Sequence, residues 1–161
     1  MKIKKVAIVL LVLATFGLGY YAISPLFIHV KVNEAPPQGK MPSDQIQQDK
    51  AVIPGEQKKP VSANVVGTPG HPASGTVRIV EADSTKYVRY ENFKTINGPD
   101  IYVYLSKDLH AKEFVSLGSV KATEGNFNYK IPAGTDLSQY HYVLTWCKQF
   151  GVLFNSADFS Q

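Results

Sequence analysis

The chain has 161 residues and a formal net charge of +4, a length that fits one domain plus additional sequence. The charge is uneven: residues 1–74 carry eight Lys and four acids, while residues 75–161 carry nine Lys and Arg against nine acids. Without a basic excess or stripe, the second part lacks the positive cluster that nucleic-acid binding requires.

Lys2, Lys4 and Lys5 form a basic tail over residues 1–5, ahead of an uncharged run from Val6 to Ser24. Those nineteen residues match what an α-helix needs to cross a hydrocarbon core of about 30 Å. Tyr20 and Tyr21 sit where an interfacial aromatic belt would lie, and the preceding lysines orient the remainder outward. A transmembrane signal anchor over residues 6–30 is therefore expected, with the carboxy-terminal part outside the cell membrane. Ala22-Ile23-Ser24 also offers the small residues of a signal-peptidase site, but Pro25 follows the cut and the apolar run exceeds the usual 7–15 residues of a signal peptide. Either reading exports the rest of the chain.

Residues 31–74 contain no Phe, Tyr or Trp but seven of the ten prolines. Such a segment buries too little apolar surface to offset its ordering entropy, so it reads as a disordered Pro-rich linker. As a flexible coil its mean reach would be about 35 Å. His71, between Gly70 and Pro72, reads as a turn residue at the domain border.

Residues 75–161 hold six Phe, seven Tyr and the single Trp. Alternating apolar and polar residues predict strands at Gly75–Glu81, Lys86–Phe93, Ile101–Ser106, Phe114–Lys121, Phe127–Ile131, Tyr140–Lys148 and Phe150–Phe154. Asn97-Gly98-Pro99-Asp100 and Pro132-Ala133-Gly134-Thr135 are turn signals, with Asp100 bonding locally to backbone. No stretch of ten residues shows a helical period. Short strands separated by turns predict an all-β antiparallel sandwich or barrel-like domain, two packed sheets being favoured because one flat sheet would leave an aromatic face in water.

Cys147 is the only cysteine, so no intramolecular disulfide can form. Three readings stand: a buried inert side chain, a redox-active or metal- or haem-ligating thiolate, or an intermolecular disulfide. On its strand Cys147 shares a face with Thr145, Val143 and His141, and Trp146, Leu144 and Tyr142 point the other way. His141 lies roughly 20 Å along the strand, too far for a Cys–His dyad. No His or Met follows Cys147 as a blue-copper loop would need, the His residues at 71, 110 and 141 lack zinc spacing, and C-x-x-C-H is absent. Non-covalent haem with Cys147 or a His as axial ligand stays open, although nothing requires it. Trp146, Phe150, Phe154 and Phe159 read as core.

Read together, the segments Asn92-Phe93-Lys94-Thr95, Asn97-Gly98-Pro99-Asp100-Ile101-Tyr102-Val103-Tyr104-Leu105-Ser106, Leu117-Gly118, Tyr129-Lys130-Ile131-Pro132 and Tyr142-Val143-Leu144-Thr145-Trp146-Cys147-Lys148-Gln149-Phe150, followed by Val152-Leu153-Phe154 and Ala157, resemble the electron-transfer DM-thirteen domain family. The resemblance covers residues 75–161. It implies an extracellular β-sandwich-like domain with a proposed electron-transfer role. It also implies that Cys147 acts as a bare thiol or as a ligand for a group such as haem, with Trp146 beside it. On that basis the chain is expected to be a membrane-tethered redox accessory domain and not an enzyme on its own. Its partners would be the membrane, through the amino-terminal helix, and a redox or surface protein. The other reading is a non-catalytic binding or adhesion module with a structural cysteine and an exposed patch built from Tyr87, Tyr102 and Tyr104.

Overall fold

The computed structural model describes residues 2–24, 29–38 and 62–160, and side chains in the first helix from 5 to 21. The helix α1 spans Lys2–Ile23, and its large side chains, among them Leu10, Leu11, Leu13, Phe16 and Leu18, are exposed. Among the described residues no helix is long and apolar enough to cross a membrane. Among the described residues nine strands follow: β1 (Lys31–Asn33), β2 (Ser62–Gly67), β3 (Ala73–Ala82), β4 (Thr85–Thr95), β5 (Ile101–Ser106), β6 (Phe114–Ser119), β7 (Glu124–Lys130), β8 (Tyr142–Cys147) and β9 (Val152–Asp158).

The strands join into one sheet in the order β1-β7-β4-β3-β2-β9-β8-β5-β6. This corrects the expectation of two packed sheets: the fold is all-β, but its single sheet curls into a half-barrel. The reason lies in β2, which changes partner halfway along. Ser62–Asn64 pair with β3, and Val65–Gly67 pair with β9. A strand that hands over in this way makes a corner without breaking the hydrogen-bond ladder. At its end Gly67 meets the returning chain so closely that a Cβ would lie 2.4 Å from the His71 carbonyl oxygen. Only glycine fits there.

Curling brings the inner faces of the two halves together. Val77, Val88, Tyr90, Phe93, Phe127 and Tyr129 come from one half, and Val103, Leu105, Val143, Ala157 and Phe159 from the other. Tyr90 stacks on Phe127 at 5.1 Å and meets Phe93 edge-on at 4.7 Å. Each such ring contributes about 1.5–3 kcal/mol by leaving water. The Tyr129 hydroxyl ties the far margin: it accepts from Lys121 N at 2.8 Å and donates to the Ser119 carbonyl at 3.1 Å.

The sheet starts earlier in the chain than the composition implied. Lys31–Asn33 and Ser62–Gly67 both fall in the stretch read as linker, yet both pair into the sheet. The intervening residues 39–61 lie outside the described residues. Phe154 and Phe159 are buried as expected, whereas Phe150 is exposed at the β8–β9 turn and is not core. Tyr104 differs from the exposed patch expected of it: it is buried, stacked under Phe114 at 4.1 Å.

Candidate functional site

Cys147 ends β8, opposite Ile101 at the start of β5. That register sets the strand end against the Asn97-Gly98-Pro99-Asp100 turn. The Asn97 side chain accepts from Gly98 N at 2.9 Å, and Asp100 adopts a left-handed φ of 55°. Lys148 N donates to the Asp100 carbonyl at 3.0 Å, and the Cys147 Sγ donates to the Pro99 carbonyl at 3.1 Å. The two stretches that carried the resemblance thus meet at the thiol. Cys147 is 1% exposed and packs with Ile101 and Phe154, with Ile96 and Val120 at their margin.

The cover over this group is built from several places in the chain. Gly98 lies against the Phe154 ring, where a Cβ would come within 2.7 Å of Cζ. The Phe154 ring also stacks on the His71 imidazole at 4.1 Å. His71 Nδ1 is 3.1 Å from Thr68 Oγ1, and that hydroxyl also reaches the Leu153 carbonyl at 2.8 Å. His71 therefore is the turn residue expected, but the turn belongs to the sheet. Behind Phe154, the fully buried Asn155 donates from Nδ2 to Thr95 Oγ1 at 3.2 Å.

The structure keeps the other candidate residues apart. Trp146 pairs with Tyr102 on the opposite face of the sheet from Cys147, so the two cannot line one cofactor site. Lys148 is drawn to that face as well, its Nζ 5.4 Å from the Tyr102 ring centre. His141 precedes β8 at its far end, where its N donates to the Ser106 carbonyl, and His110 is exposed in the β5–β6 loop. Among the described residues no group of three or more His, Cys, Asp or Glu is placed to hold a metal ion. A haem does not fit Cys147 as it stands. Its iron would have to displace the Pro99 carbonyl from Sγ and open the packing of Ile101 and Phe154. A cavity of about 240 Å³ beside Ile96 is lined by His29, Pro72, Ser74, Lys94, Thr95 and Thr123, among others, and Cys147 takes no part in it.

Sequence reasoning found the thiol but not what surrounds it. The alternation along β8 gives its face, while Thr68, His71, Thr95 and Asn155 are brought around β9 and its Phe154 only through strand order. The Asn-Gly-Pro-Asp turn was the one signal of a partner, and it did not say which strand end the turn would face.

A family model described as Electron transfer DM13 matches residues 66–159. The matched stretch contains Thr68, His71, Pro99, Cys147 and Phe154, and lies beyond α1 and β1. No curated protein and no solved structure matches the chain.

Proposed function

The chain belongs to the electron transfer DM13 family, and from that premise we propose that it is a redox module centred on the Cys147 thiol and held outside a membrane by α1. The observation that carries this reading is the meeting of the Pro99 turn and the end of β8 at one sulfur atom. A structural cysteine needs only apolar neighbours, but this one has a directed hydrogen-bond acceptor and a cover drawn from the 97–100 turn, the Thr68–His71 turn and strand β9.

A lone thiol without a cofactor carries electrons by exchange with a disulfide of a partner protein. The Cys147 sulfur attacks one partner sulfur, the partner's S–S bond breaks, and a mixed disulfide forms. The other partner sulfur leaves with the electron pair and takes up the proton released by Cys147. Cys147 is oxidised and the leaving sulfur is reduced to a thiol. Because Sγ is buried, the Pro99 turn has to move aside first.

The test uses the full chain in detergent, equilibrated with glutathione buffers from reducing to oxidising and then trapped by alkylation for mass spectrometry. The expected result is reversible mixed-disulfide formation at Cys147 in the folded protein, absent in Cys147→Ser. A thiol that stays reduced until the protein unfolds would overturn the reading. The visible spectrum before and after dithionite asks the separate question of a retained coloured cofactor.

Membrane anchoring is supported by the uncharged Val6–Ser24 run and by the apolar side chains that α1 leaves exposed. Retention of the full chain in membranes after alkaline extraction is expected, and release would count against an anchor. The binding-module reading has one observation of its own. The outer face of β5 and β8 carries Tyr102, Trp146 and Lys148 beside exposed Phe114. Failure of Cys147 oxidation would leave that face as the functional surface.

A further inference from the structure

We propose that residues 29–35 form a latch on the edge of the sheet that governs access to Cys147. The inference deepens the thiol-redox reading and depends on it for its purpose, but access to the sulfur can be measured whatever Cys147 does.

The latch lies outside the 66–159 stretch that matches the family. It is a parallel strand of three residues at an edge, with only Val32 half-buried. An element with so few buried contacts opens at lower cost than the core it rests on. What holds it is specific. Val30 and Thr123 bond reciprocally: Val30 N donates to Thr123 Oγ1 at 3.0 Å, and the Val30 carbonyl accepts from Thr123 N at 2.9 Å. The Glu34 carboxylate takes Lys121 Nζ at 2.8 Å and Asn128 N at 2.8 Å. The Glu34 carbonyl receives Arg89 from β4 at 3.3 Å. The strand also rests on Gly125, where a Cβ would overlap the Val32 carbonyl oxygen, so β1 has its place only because residue 125 has no side chain.

From this edge a run of hydrogen bonds leads to residues next to those that pack on the thiol. The Thr123 carbonyl accepts from Thr95 N at 2.9 Å, at the end of β4. Thr95 Oγ1 accepts from Asn155 Nδ2. The next residue after Thr95 is Ile96, which packs on the thiol group, and the residue before Asn155 is Phe154, which touches the sulfur's cluster and Gly98. With the latch seated, Thr123 fixes the end of β4, and the 96–99 segment that leaves it stays over Sγ. With the latch off, Thr123 loses its bonds to Val30, and the cover loses its fixed end.

The experiment measures the rate at which an aromatic disulfide reagent modifies Cys147 in the folded full chain. One variant lacks residues 29–35, and a second carries Glu34→Ala, which removes the carboxylate bonds without touching the core. Labelling is expected to speed up by about tenfold in Glu34→Ala, the scale of losing hydrogen bonds to a charged group, and by more in the deletion. Far-ultraviolet circular dichroism confirms that each variant is folded. A folded deletion variant labelled at the parent rate overturns the latch. If the deletion does not fold, Glu34→Ala decides by the same two outcomes. A gated thiol that nonetheless never exchanges with glutathione would keep the latch and remove the redox role.

Discussion

Tyr90 and Thr145 carry hydroxyls that are buried in the core without a hydrogen-bond partner of ordinary geometry. They approach across the interior, one from β4 and one from β8, and burial pushes the Tyr90 hydroxyl well above the usual tyrosine range. Leaving a buried hydroxyl unpaired costs about 1–3 kcal/mol, whereas removing both polar atoms at constant shape is close to neutral. The double variant Tyr90→Phe/Thr145→Val is therefore expected to be at least as stable as the parent, by thermal denaturation. A loss of more than about 1 kcal/mol would mean that the two hydroxyls bond each other in solution. At this scale the sequence was legible in part. Alternation placed Cys147 with Val143 and Thr145 on one face, and the structure turns that face inward. It gave no acceptor for the thiol, because Pro99 reaches Sγ only through the β5–β8 register. Nor did it give the buried Arg89, which points away from Tyr90 and is covered by Glu34, Glu91 and Asn128.

Among the elements, β1 and β2 were the ones composition hid. Ser62–Gly67 reads SANVVG amid prolines and glycines, with Val65 its one buried residue, and β1 is the tripeptide KVN. Neither buries enough to stand alone; each is strand because a neighbour's open edge receives it. The strands predicted from alternation were the ones that contribute their own core, such as Ile101–Ser106, whose bounds the structure reproduces. The electrostatics of β1 make its attachment pH-dependent. Partial burial raises the Glu34 carboxyl, but Lys121 and the Asn128 amide lower it by more, leaving it below the ordinary value of 4.5. Lys31 likewise lowers Glu124, on the strand that β1 joins. Arg89 reaches the Glu34 backbone carbonyl, and Tyr129 feels the Glu34 charge. A carboxyl with a depressed folded-state pKa contributes stability above its unfolded value, and that contribution is lost as pH falls through the folded one. Amide protection of Lys31–Asn33 is expected to fade below about pH 4.5, before the core amides of β4 and β8 exchange. Equal protection of β1 at pH 7 and pH 3 would refute this. Salt should weaken the Lys31–Glu124 contact more than the half-buried Glu34 set.

At the scale of the molecule, the curl and the early start of the sheet alter the picture of a domain on a long tether. Only residues 24–30 separate the end of α1 from β1. Seven residues extend to about 25 Å at most, so the domain stays near the helix whatever residues 39–61 do. Those twenty-three residues join two strands of one sheet, Lys31–Asn33 on its rim and Ser62–Gly67 at its corner. While β1 is paired, the sheet holds the domain to α1 alongside the backbone across these residues. If a protease recognition site is inserted between Gln38 and Ser62 and cut, the helix-bearing fragment and the 62–161 fragment should still co-purify at neutral pH. They should separate in acid, or when the parent carries Glu34→Ala. Parting at neutral pH would show that β1 pairing is too weak to hold the pieces. Under the proposed anchoring by α1, a nick in this connection would not by itself free the domain: release would need the strand to let go, so that shedding would become a question of acidity and not of cleavage alone.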